Sequence, residues 1–139
     1  MTGPRIVIDT NVLVAGLRSR TGASFKLLGL IGRDKFEVCL SVPLVLEYED
    51  VLLRHLDALT LSKQDVHDFL DYVIAVSEHH EIHYLWRPTL RDPNDEMLLE
   101  LAVKAQCKSI VTFNKLDFKG SNEFGIELLS PAEFLSTVR

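Results

Sequence analysis

The sequence predicts an α/β protein: a mainly parallel β-sheet with helices over both faces. Three observations lead there. Short apolar runs recur without polar alternation, as in strands buried on both sides. Stretches of helical periodicity separate them, and several of those stretches open on helix-capping residues. With 139 residues, 47% hydrophobic and 25% charged, the chain is long enough to bury a core of its own, and residues 1–139 are expected to form a single domain.

The first apolar run, Arg-Ile-Val-Ile at residues 5–8, ends in Asp9-Thr10-Asn11 and reads as the first strand of the sheet. Val12, Leu13, Ala15 and Gly16 then suggest a helical turn, and after residues 19–22 a second helix carries Phe25, Leu27, Leu28 and Ile31. Residues 36–40 are a second strand. Ser41 caps a helix that starts near Pro43 and aligns Leu44, Tyr48, Val51 and Leu52 on one face. Ser62-Lys63-Gln64-Asp65 forms a capping box with Asp in the acidic position, opening a helix with Val66, Phe69, Leu70 and Val73 inward. Residues 79–86 alternate weakly, as in a strand. Asp92-Pro93-Asn94-Asp95 starts a helix whose Leu98, Leu99, Leu101, Ala102 and Ala105 face inward. Strands follow at residues 109–113 and 125–129, and Ser130-Pro131-Ala132-Glu133 begins a last helix.

Fifteen Lys and Arg against 20 Asp and Glu give a formal charge of -5, which argues against holding nucleic acid by bulk positive charge. The longest stretch without a charged residue is 38–46, too short to span a bilayer. Asp9 interrupts the apolar run that begins at Ile6, so no secretory leader is expected and the protein is placed in the cytoplasm. Cys39 and Cys107 match no metal-ligand spacing and are expected to be buried free thiols. His79 and His83 flank Glu81, but His80-Glu81-Ile82-His83 is one residue short of the zinc protease pattern, and these histidines are expected to be solvated or at a strand edge.

Ligands of open parallel sheets bind beyond the carboxyl ends of the strands. Asp9 and Asn11 follow the first predicted strand, Asn114 and Asp117 the strand near Ile110; Glu47 and Asp95 lie on helices beside such strands. Each has a plainer role when taken singly: Asp9 as a helix cap, Glu47 as a surface acid, Asn114 and Asp117 as turn residues. Asp92, before Pro93, is expected to cap its helix and not to bind metal. Together, however, carboxylates gathered about 4 Å apart would repel by roughly 4 kcal/mol per pair at an effective dielectric near 20. No Lys or Arg occurs in residues 6–17, which leaves a hard divalent cation, Mg²⁺ or Mn²⁺, as the compensating charge. A cation there is suited to polarising a phosphoryl oxygen and activating water for phosphodiester hydrolysis.

Four motifs in order make the chain recognisable: Ile6-Val7-Ile8-Asp9-Thr10-Asn11; Pro43-Leu44-Val45-Leu46-Glu47-Tyr48; Asp92-Pro93-Asn94-Asp95 leading to Leu98 and Ala102; and Ile110-Val111-Thr112-Phe113-Asn114 with Asp117-Phe118. The sequence resembles the PIN domain family of metal-dependent ribonucleases, in particular the small stand-alone prokaryotic members that serve as toxins of toxin-antitoxin pairs. The resemblance implies a three-layer α/β/α sandwich, catalytic and metal-binding roles for Asp9, Glu47, Asp95 and Asp117, and supporting roles for Asn11 and Thr112. Many relatives carry Asp where this chain has Asn114, so the fourth contact falls to Asn114 or Asp117.

The leading expectation is therefore a Mg²⁺- or Mn²⁺-dependent endoribonuclease, with RNA guided by Arg18, Arg20, Lys26, Arg87, Arg91, Lys115 and Lys119, and with a cognate antitoxin as partner. Two alternatives stand beside it. A phosphatase of the haloacid dehalogenase type also opens with a strand and an Asp, but wants a second Asp where this chain has Asn11. An inactive PIN-like module would bind a partner protein or RNA only; the presence of all four acids counts against it. Leu52, Leu53, Leu56, Leu59 and Leu61 exceed what one helix face can bury, which points to a homodimer.

Overall fold

A computed structural model describes residues 3–82, 93–118 and 124–138. The strands are β1 (Arg5–Ile8), β2 (Glu37–Leu40), β3 (Glu78–His79), β4 (Ser109–Val111) and β5 (Glu127–Leu129). The helices are α1 (Thr10–Arg18), α2 (Ala23–Leu30), α3 (Val42–Arg54), α4 (Leu56–Leu59), α5 (Lys63–Val76), α6 (Pro93–Lys104) and α7 (Pro131–Leu135), with a 3₁₀ turn at Lys115–Phe118. The five strands are parallel throughout and run in the order β3-β2-β1-β4-β5. With helices over the sheet, this is the three-layer α/β/α arrangement.

Strand β1 lies at the centre because both its neighbours are parallel and both its faces are covered: Ile6, Val7 and Ile8 are all buried. That is why the run shows no alternation in the sequence. Helix α6 packs across β1, β2 and β4, whereas α1 contacts α2 and α3, and α2 contacts α7. Gly16 permits the close approach of α1 to α2, since a Cβ there would sit 2.5 Å from Leu28 Cδ1. The capping signals act as their chemistry predicts. Ser41 Oγ accepts from the Leu44 N–H, and Ser62 with Asp65 and Ser130 with Glu133 each form a reciprocal capping box.

Several expectations need correction. The strand expected over residues 79–86 is a two-residue strand, Glu78–His79, paired with β2; residues 83–86 lie outside the described residues. Strand β4 ends at Val111 and not at Phe113, whose side chain is 51% exposed. Phe25 turns outward from α2. The leucines that suggested a dimer pack wholly or in part against the chain's own core. Leu52 and Leu59 are buried, and Leu53, Leu56 and Leu61 pack against that core, helped by the short extra helix α4 that redirects the chain after Arg54. Among the described residues, no helix is long and apolar enough to cross a membrane.

Candidate acidic active site

In the strand order β3-β2-β1-β4-β5 the chain leaves β1 toward one side and later returns to the other, so β1 and β4 flank the switch point at which such sheets bind ligands. Asp9 leaves the end of β1 there. Its N–H donates to the Val111 carbonyl at 2.9 Å, locking the residue to the end of β4. Asp9 begins α1 without a side-chain cap hydrogen bond, so helix capping does not account for it. Its Oδ2 instead accepts from Thr112 Oγ1 at 2.7 Å, and the Thr112 hydroxyl in turn accepts from the Asn114 N–H at 2.9 Å. A carboxylate only 8% exposed is thus oriented by a hydroxyl from the neighbouring strand end.

A cleft of about 440 Å³ opens at this point, and Asp9, Asn11, Glu47, Asp95, Asn114 and Arg18 line it. Each reaches it for a local reason. Asn11 is in the first turn of α1; Glu47 lies on α3 next to the buried Tyr48; Asp95 is in the first turn of α6, where an N-terminal carboxylate is favoured. Val14 and Ala15, one turn after Asn11, and Val51, one turn after Glu47, form apolar wall; their i+3 and i+4 spacing from the polar residues is the signal that locates them in the sequence. Tyr48 contributes from below. Its hydroxyl donates to the Ile8 carbonyl at 2.5 Å, and burial, followed by the Asp9 charge, pushes its pKa well above 10.

Of the other residues singled out from the sequence, Thr112 is fully buried beneath the cleft. Arg18 brings a positive charge to a rim where residues 6–17 supply none. Arg20 and Lys26 are exposed. Lys115 forms an ion pair with Glu133, which ties the 3₁₀ turn to α7 and helps hold the Glu133 carboxyl at about 2. Asp117 belongs to the 3₁₀ turn, but its side chain lies outside the described residues, as do Arg87, Arg91, Asp92 and Lys119.

The oxygen-rich lining fits Mg²⁺ or Mn²⁺. Asn11 Oδ1 is buried and has no hydrogen-bond partner among the described residues, which leaves an acceptor available at the cleft wall. Among the described residues, Asp9, Glu47 and Asp95 are not all three within 4.8 Å of one another. Mg²⁺ usually takes only one or two carboxylates and keeps several waters, so it does not require all three to converge.

Fold and cleft together define an all-parallel α/β protein with an acid-lined cleft at its switch point. The chain belongs to the PIN domain family, whose model matches residues 5–116; members of this family are generally nucleases. The crystal structure of VapBC2 from Rickettsia felis bound to a DNA fragment from their promoter contains a similar chain, with a TM-score of 0.60 and 15% identity over 89% of this chain and 98% of that one. At that identity the likeness concerns the fold. No curated protein gives a significant match.

Proposed function

We propose that the protein is a divalent-metal-dependent endoribonuclease and the toxin of a toxin-antitoxin pair. The observation that carries this reading is the convergence of Asp9, Glu47 and Asp95 with Asn11 and Asn114 on one cleft. Membership of a nuclease family and a fold shared with a chain of VapBC2 support it. A cytoplasmic location, RNA as substrate and a cognate antitoxin as partner belong to the same proposal. A homodimer belongs to the same proposal, although Leu52 and Leu59 are taken up by the chain's own core.

Asp9, Glu47 and Asp95 would hold Mg²⁺ or Mn²⁺, with Asn11 Oδ1 as a neutral oxygen donor and either Asn114 or Asp117 completing the set. When bound, the ion supplies charge to a phosphoryl oxygen and makes water a better nucleophile. Thr112 keeps the Asp9 carboxylate in one orientation, and the Tyr48 hydrogen bond to Ile8 holds the backbone that precedes it. Glu47 or Asp95 accepts the proton of the attacking water. Arg18 attracts the phosphate backbone to a cleft that would otherwise repel it.

Incubating the protein with RNA and, separately, with a phosphomonoester tests the reading, with Mn²⁺, with Mg²⁺ and with a chelator. Metal-dependent RNA cleavage that the chelator abolishes is the expected result. Turnover of the phosphomonoester alone identifies a phosphatase, and RNA binding without cleavage under all conditions identifies a binding module.

A further inference from the structure

Away from the acidic cleft, the fold gathers Cys39, Glu78 and His80, with Cys107 beside Cys39. Cys39 on β2 pairs in register with Glu78 on β3, and His80 follows one residue beyond that strand. One ligand atom each from Cys39, Glu78 and His80 lies within 4.8 Å of the other two. His80 Nε2 is 2.9 Å from Glu78 Oε1. Cys107, also buried, neighbours Cys39 from the turn after α6, but it is not part of that three-residue group. None of the four lines the acidic cleft.

The donor set is two sulfurs, an imidazole nitrogen and a carboxylate oxygen, which is a four-ligand set for Zn²⁺ and a poor one for Mg²⁺. A tetrahedral zinc ion with ordinary bond lengths separates its ligand atoms by roughly 3.3–3.8 Å, so Cys39, Glu78 and His80 need only close up slightly, and Cys107 has to swing toward them to become the fourth ligand. Charge also balances. Arg5 Nε lies 3.0 Å from Glu78 Oε1, and its +1 with a divalent ion offsets two thiolates and one carboxylate. Glu78 and His80 are partly exposed, which gives an ion access to their side of the group.

We propose that Cys39, Cys107, Glu78 and His80 form a zinc-class metal site separate from the acidic cleft. On binding, the two thiols release their protons to solvent and no redox change occurs. The ion clips the two-residue strand β3 and the turn before β4 to β2, closing an edge of the sheet that the backbone secures with few hydrogen bonds. The proposal does not depend on the ribonuclease reading.

Cobalt titration of the whole reduced chain, with Zn²⁺ as competitor, tests it. One equivalent of Co²⁺ is expected to produce thiolate-to-cobalt charge transfer and the intense visible bands of a tetrahedral ion, both removed by Zn²⁺ and insensitive to excess Mg²⁺. Cys39→Ser and Cys107→Ser should each diminish the charge transfer, and His80→Gln should weaken Zn²⁺ binding by about tenfold or more. Asp9→Asn should leave all of these signals intact. His80 lies near the surface, so its variant keeps the test valid should a cysteine variant fail to fold. Absence of charge transfer in the parent, with both thiols verified as reduced, overturns the proposal. So does a His80→Gln protein that binds Zn²⁺ as tightly as the parent, or loss of the cobalt signal in Asp9→Asn.

Discussion

Thr112 Oγ1 donates to Asp9 Oδ2 at 2.7 Å across 103 residues of chain, joining the ends of two adjacent strands through a single buried hydroxyl. Because the same oxygen accepts the Asn114 N–H, the loop after β4 and the central carboxylate are oriented together. Replacing the hydroxyl by a methyl group leaves a buried carboxylate oxygen and an amide short of a partner.

Thr112→Val is therefore expected to lower thermal stability by roughly 1–3 kcal/mol and to reduce RNA cleavage by about tenfold or more, the factor associated with losing a group that orients a metal ligand. Thr112→Ser should retain most of both. Melting curves and cleavage rates of the two variants check this, and equal activity in Thr112→Val and the parent would refute the positioning role.

Asp9→Asn is expected to abolish metal-dependent cleavage with the fold intact. By removing a negative charge from an acidic cleft it should leave the metal-free melting temperature unchanged or raised. Circular dichroism and an RNA assay decide this; cleavage at the parental rate would return Asp9 to a purely structural role.

Calorimetric titration with Mn²⁺ separates the remaining acids. Glu47→Gln, Asp95→Asn and Asp117→Asn should each weaken binding, and Asn114→Asp should strengthen it or leave it unchanged. Asp92→Asn should cost at most about 1 kcal/mol of stability, since Asn also caps well, and leave Mn²⁺ affinity untouched. Loss of binding in the Asp92 variant with retention in the Asp95 variant would exchange their roles.

The Glu133 carboxyl is held at about 2 by its hydrogen bond from Lys115, then by the Ser130 backbone N–H. A depressed carboxylate pKa favours the folded state above the unfolded value, and that contribution is lost as pH falls through the folded one. The stability difference between the parent and Glu133→Gln should thus be complete above the ordinary glutamate value of 4.5 and fade as pH drops to about 2. Acid melting series of both proteins measure it; a difference independent of pH over that interval would show that the ionised carboxylate does not stabilise the fold.

Local signals alone determined much of this protein. Strand β1 was legible because a strand covered on both faces must be apolar at every position, and the helices beginning at Ser62 and Ser130 because their capping boxes close within three residues. Asp9, Glu47 and Asp95 stood out because their places after strands, or in a helix turn beside one, depend on neighbours close in the chain. Contacts between distant segments carry no such period. The destination of Leu53, Leu56 and Leu61 depended on α4 folding them back against the core, and Arg18 entered the cleft only through the turn of α1. The meeting of Cys39 with Glu78 and His80 follows from strand order and register. Only the tertiary structure could decide these, because strand register and helix docking set distances that spacing along the chain does not encode.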